Sequence, residues 1–127
     1  MSRGFSSVQA AVEAISRGEV VIVVDDEGRE NEGDFICAAE KATPENVNLI
    51  MTGRGDFCMP ILPDICQRLD VQPLVDSNTA PLGTAFMTPL DHRLNRTGIT
   101  AEERSRTVLT IVDPRSQPED FVRPGHV

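Results

Sequence analysis

At 127 residues the chain is long enough for one buried core and too short for two ordinary domains. A formal charge of −8, a lone lysine and aromatics that are all phenylalanine argue against a nucleic-acid surface, which needs clustered cations or stacking platforms. Three cysteines with no CxxC pair disfavour a disulfide framework and a zinc knuckle and fit a reducing cytoplasm, and no apolar run is long enough for a membrane span.

In chain order, Ser6 and Gln9 read as a capping box opening a helix with Val8, Ala11, Val12 and Ile15 on one face and Gly18 as its stop. Val20 to Val24 is an unbroken β-branched run, the pattern of a central strand covered on both faces. It ends in an acidic segment, Asp25 to Asp34, and Phe35 to Ala39 reads as a second strand. Thr43-Pro44-Glu45 starts a helix predicted to reach Met51 and stop at Gly53, because the cap, the N1 proline and the acid all suit a helix N-terminus. Phe57 to Leu62 is a further strand candidate, with Pro60 placing it at an edge. Ile65 to Leu69 is a short helix, Asp70 to Gly83 is irregular, and Thr84 to Thr88 is another strand. Thr100 and Glu103 form a capping box for a helix toward Val108, and the tail from Asp113 to Val127 lacks a closing element. The elements interleave without a regular strand–helix repeat, which predicts a single α+β domain with a mixed sheet and packed helices.

Six of the ten residues from Asp25 to Asp34 are acidic, with Arg29 the only cation among them. A solvated acidic loop is the plain reading. Against it, the run leaves a buried strand, Gly28 and Gly33 bracket it, and Glu30, Glu32 and Asp34 alternate. In extended backbone that alternation puts three carboxylates on one face, where they can converge on a cation or work as acids and bases. The spacing does not fit an EF-hand loop.

The segment VVDDEGRENEGDFICAAE, followed by ATPE, by a glycine-bearing stretch with Cys58, by NTAPLGTAF and by TGITA before Arg104, closely resembles 3,4-dihydroxy-2-butanone-4-phosphate synthase of riboflavin biosynthesis. Asp120-Phe121 leading into Arg123-Pro124-Gly125-His126 completes a resemblance that covers essentially the whole chain, 1–127. It implies a lyase that converts ribulose 5-phosphate to 3,4-dihydroxy-2-butanone 4-phosphate and formate, with two divalent ions, magnesium or manganese, assisting acid/base chemistry. Carried over by position, Glu30 is a metal ligand, Arg29, Glu30 and Asp34 contact substrate, and Glu32 is an acid/base group or a support to its neighbours. Cys58 matches an active-site cysteine, against the alternative of a small buried hydrophobe. Thr97 either lines the substrate pocket or opens a turn. His126 matches a histidine essential for activity, and His92 matches no assigned role and reads as a surface residue.

TGITAEER departs conservatively from the usual TGISAxDR, and Asp70 to Pro73 lacks the usual leucine-proline pattern. Complete members of that family continue past RPGHV into a Gly-His-Thr-Glu segment with the second protein metal ligand. The expectation is therefore a partial synthase domain, incomplete at its C-terminus and holding one half of the active site, with activity of the chain alone left open. A non-catalytic metal- or phosphate-binding fragment is the alternative. The resemblance also implies a cytoplasmic homodimer, with possible fusion to GTP cyclohydrolase II.

Overall fold

Helix α1 (Val8–Ser16) is capped by Ser7, one residue beyond the predicted cap, through a 3.2 Å bond from the Ala10 N–H to its hydroxyl. Gln9 does not cap; its side chain donates along the helix to Glu13 at 2.9 Å. Gly18, at φ 87°, lets the chain leave the helix in a left-handed conformation. The computed structural model describes residues 4–127.

Strands β1 (Val21–Val24) and β2 (Gly33–Ile36) form an antiparallel pair in which Val21 faces Ile36 and Val24 faces Gly33. The strand expected to be covered on both faces is instead open: Ile22 is 64% exposed and Val24 45%. β-branching specifies extended backbone, but the covering layers depend on other elements, and among the described residues β2 is the only strand paired with β1. Helix α2 (Pro44–Met51) has Thr43 as its N-cap, and the Asn46 side chain donates to the Gly18 and Lys41 carbonyls at 2.9 Å each, tying α2 to the end of α1.

The stretch 57–62 forms no strand; Pro60 lacks the N–H a ladder needs. Helix α3 is Pro63–Leu69. The strand expected at 84–88 reduces to a bridge between Pro73 and Met87, flanked by bonds from Leu74 N–H to the Phe86 carbonyl and from Thr88 N–H to the Gln72 carbonyl. The tail does close. Strand β3 (Asp91–His92) pairs antiparallel with β4 (Phe121–Val122), which follows helix α4 (Ala101–Val112) and a 3-10 turn at Pro118–Asp120. All strand pairing among the described residues is antiparallel, in two two-stranded sheets with helices packed around them, an α+β arrangement.

Helix α4 organises the interior. One cluster joins Leu69, Val71, Leu90, Ile111 and Phe121; a second joins Ala42, Val47 and Val108; Val127 packs against both. Buried hydroxyls on α4 are paired, as the cost of desolvating them requires. Ser105 donates to the Ala42 carbonyl at 2.6 Å, and Thr107 accepts from the His92 N–H at 3.0 Å. Arg68 of α3 donates to the Ile111, Asp113 and Ser116 carbonyls, satisfying the C-terminal end of α4 with a cation.

Candidate active site

The connection from β1 to β2 carries the acidic strip, and Asp25 holds it in shape. Its carboxylate accepts from the Arg29 guanidinium and from the Glu30 and Glu32 N–H groups, each at 2.9 Å. Those backbone bonds, from Glu32 first and then Glu30, hold the Asp25 carboxyl below its usual range, with Arg29 adding to the effect. Asp26 accepts from the Gly28 N–H at 2.7 Å, a local turn of the kind aspartate favours. Asn31 follows at φ 51°. The strip is therefore not one extended face. Residues 27–30 turn, Asn31 is left-handed, and Asp34 sits inside β2 opposite Val23. Glu30 comes forward from the turn paired with Arg29 at 3.1 Å, and Arg29 keeps 54% of its side chain exposed. Bonding to Asp25 and the charges of Glu30 and Asp34 raise the Arg29 pKa, so its cation is firmly held.

Cys58 is exposed. Burial of the thiol raises its pKa, and the charges of Asp56 and Asp34 raise it further. The field of Asp34 thus reaches Cys58, and its sign keeps the sulfur a thiol rather than a nucleophilic thiolate. On either side, Phe57 and Met59 pack against the cluster of Ala42, Val47 and Val108 that Val127 also packs against.

Thr97 belongs to the turn that opens α4. Its hydroxyl donates to Glu103 at 3.0 Å, and the same carboxylate accepts from the Arg96 and Gly98 N–H groups at 2.6 and 2.9 Å. The Arg96 backbone bond, with those from Thr97 and Thr100, holds the Glu103 carboxyl at about 2. This geometry matches the turn-opening account of Thr97. His92 is not a free surface residue: its Nδ1 accepts from the Leu94 N–H at 3.1 Å and its ring meets Phe121 edge-on, centroids 6.4 Å apart. Burial, then the charge of Arg106, lowers its pKa.

His126 is anchored rather than frayed. Its Nδ1 lies 2.8 Å from Oδ2 of Asp91, and its backbone N–H donates to Oδ1 at 3.0 Å. The structure thus forms two groups: Arg29, Glu30, Asp34 and Cys58 around the hairpin, and Thr97, Asp91 and His126 where β3 meets the start of α4. No hydrogen bond or ion pair joins them among the described residues. Sequence reasoning missed Asp25 and Asp91. For Asp25 the signal was a paired aspartate directly after a strand; Asp91 carried none, because its partner is 35 residues away.

Among the described residues, no group of three or more His, Cys, Asp or Glu side chains is arranged to hold a metal ion. The Asp25 oxygens are spent on N–H groups, and Glu30 is paired with Arg29. These side chains alone do not make a complete magnesium site, whose demand for oxygen ligands is higher.

The model of a family described as 3,4-dihydroxy-2-butanone 4-phosphate synthase matches residues 9–127. The riboflavin biosynthesis protein RibBA of Bacillus velezensis is 53% identical over 124 residues, covering 97% of this chain and 31% of that protein. RibBA of Aquifex aeolicus is 46% identical over 127 residues, with the same coverage of 97% and 31%. The chain therefore spans about a third of the length of these relatives. Among solved structures, a 3,4-dihydroxy-2-butanone 4-phosphate synthase in complex with two magnesium ions superposes with a TM-score of 0.89 at 36% identity, over 97% of this chain and 58% of that one. RibBX, a two-domain synthase from A. baumannii, gives 0.88 at 38% identity, over 96% of this chain and 36% of that one.

Proposed function

The chain belongs to the 3,4-dihydroxy-2-butanone 4-phosphate synthase family, and from that premise we propose that it contributes one part of a synthase active site. The reaction is conversion of ribulose 5-phosphate to 3,4-dihydroxy-2-butanone 4-phosphate and formate, a lyase step toward riboflavin. The observation that carries this reading is the strip held by Asp25, which presents Arg29 and Glu30 side by side at 3.1 Å.

In this reading Arg29 supplies a fixed cation for the anionic sugar phosphate, beside a carboxylate that meets its hydroxyls. Asp34 binds substrate from β2, and Cys58 lines the same region as a neutral thiol. Glu32, whose N–H is tied to Asp25, is either an acid/base group or a support for Glu30. His126 exchanges protons with substrate, and Thr97 shapes the turn beside it. Glu30 would be one ligand of magnesium or manganese, in a site of two ions completed by residues outside this chain. When bound, such ions stabilise negative charge on enediol oxygens. Residues 1–127 form part of the catalytic domain of a longer parent, in a cytoplasmic homodimer; the 31% share of the RibBA relatives supports a longer parent and is compatible with a fusion to GTP cyclohydrolase II.

Formate release from ribulose 5-phosphate with magnesium, assayed on the longer parent polypeptide that contains this chain, tests the proposal. The expected result is release that depends on metal and is lost with chelator; release no faster than with magnesium alone would overturn it. The lack of a three-donor cluster among the described residues favours one second reading, a non-catalytic fragment that binds metal or phosphate weakly. Calorimetric binding of inorganic phosphate without any formate release would mark that outcome.

A further inference from the structure

One buried carboxylate has no part in the roles above. Asp91 is 7% exposed and lies behind His126. Resting on the synthase reading, we propose that Asp91 is a positioning residue, fixing the tautomer and orientation of His126 so that Nε2 is the atom that exchanges a proton with the sugar phosphate.

Both Asp91 oxygens are committed to this one residue, Oδ1 to its backbone N–H at 3.0 Å and Oδ2 to Nδ1 at 2.8 Å. A carboxylate only accepts, so the hydrogen of the neutral ring sits on Nδ1, and Nε2 carries the lone pair. The exposures are unequal in the useful direction: the His126 side chain is 45% exposed and that of Asp91 only 10%. An accessible base with a covered orienter behind it is the arrangement that catalytic imidazoles use.

The surroundings are shaped for the pair. Gly98 stands at φ 81°, and a Cβ there would fall on the Asp91 carboxylate itself. A Cβ on Gly125 would fall on the backbone of Leu90 and Asp91. That close approach lets the Gly125 N–H reach the Pro89 carbonyl at 2.8 Å and the Leu90 N–H reach the Val127 carbonyl at 2.8 Å. The backbone of His126 is thus clamped on both sides while its side chain is held by Asp91. Both glycines leave the space that this pair and its backbone clamp occupy.

Asp91→Asn separates positioning from packing. The asparagine oxygen must stay on the His126 N–H, because its NH2 cannot accept; that NH2 then faces Nδ1, which has to become the acceptor. Nitrogen-15 spectra of the imidazole, recorded where the ring is neutral, are expected to show Nδ1–H in the wild type and Nε2–H in the variant, with backbone resonances largely retained. In the longer parent polypeptide, formate release is expected to show a kcat reduced by about 100-fold or more for Asp91→Asn, with KM nearly unchanged. Nε2–H in the wild type overturns the proposal even if the variant does not fold, as does Nδ1–H retained in a folded variant, or an unaltered kcat. No formate release from the wild type would count against the synthase reading, while the wild-type tautomer would still decide the pairing.

Discussion

Glu30 and Asp25 divide the acidic strip between chemistry and shape. Glu30 comes forward with Arg29, whereas Asp25 faces inward onto the Glu30 and Glu32 N–H groups. Glu30→Gln is therefore expected to remove turnover by at least about 100-fold. Its thermal midpoint should stay within a few degrees, since a surface pair is worth about 0–1 kcal/mol; near-normal formate release would refute the ligand role. Asp25→Asn should do something else, loosening residues 25–32 so that the Glu30 and Glu32 amides exchange hydrogen faster while that of Val47 in α2 does not. The alternation of Glu30, Glu32 and Asp34 marked this segment as a candidate site, yet it misstated the geometry. Periodicity assumes uniform backbone, and here two aspartate side chains fold the chain into a turn that the residue pattern does not encode.

At the scale of elements, α4 and its leading turn were legible because capping chemistry is local: Thr100 and Glu103 meet within one turn of helix. The capping box also has a pH signature. Glu103 titrates at about 2 in the fold against 4.5 normally. A depressed carboxyl stabilises fully above its unfolded value, and the contribution fades as pH falls from about 4.5 through about 2. Glu103→Gln should lower the thermal midpoint at pH 6 and flatten its decline across that acidic window; a parallel decline would show that other carboxylates dominate. The β3–β4 pair was not legible. It joins two-residue strands 29 or more positions apart, too short for any period to register, and it depends on Gly125 passing close to Asp91. Gly125→Ala should cost about 1–3 kcal/mol, the usual cost of forcing atoms into a filled space, read by urea unfolding.

Across the whole molecule, the apolar residues divide unevenly. Leu69 and Val47 are fully covered, while Ile22, Val23 and Val24 in the most hydrophobic run of the sequence lie open. Composition could not separate these cases, since coverage depends on which elements reach β1. The difference is measurable. Leu69→Ala removes a side chain from a closed cluster and should cost about 2–5 kcal/mol. Ile22→Thr keeps the β-branch and removes apolar surface that water already reaches, so it should stay within about 0.5 kcal/mol. Urea unfolding of both variants, at two protein concentrations tenfold apart, reads the comparison directly. A loss above about 1.5 kcal/mol for Ile22→Thr that grows with concentration would show a second copy covering the hairpin. The same loss at both concentrations would mean that β1 is buried within the monomer. Independence of concentration with a small loss leaves β1 an open face.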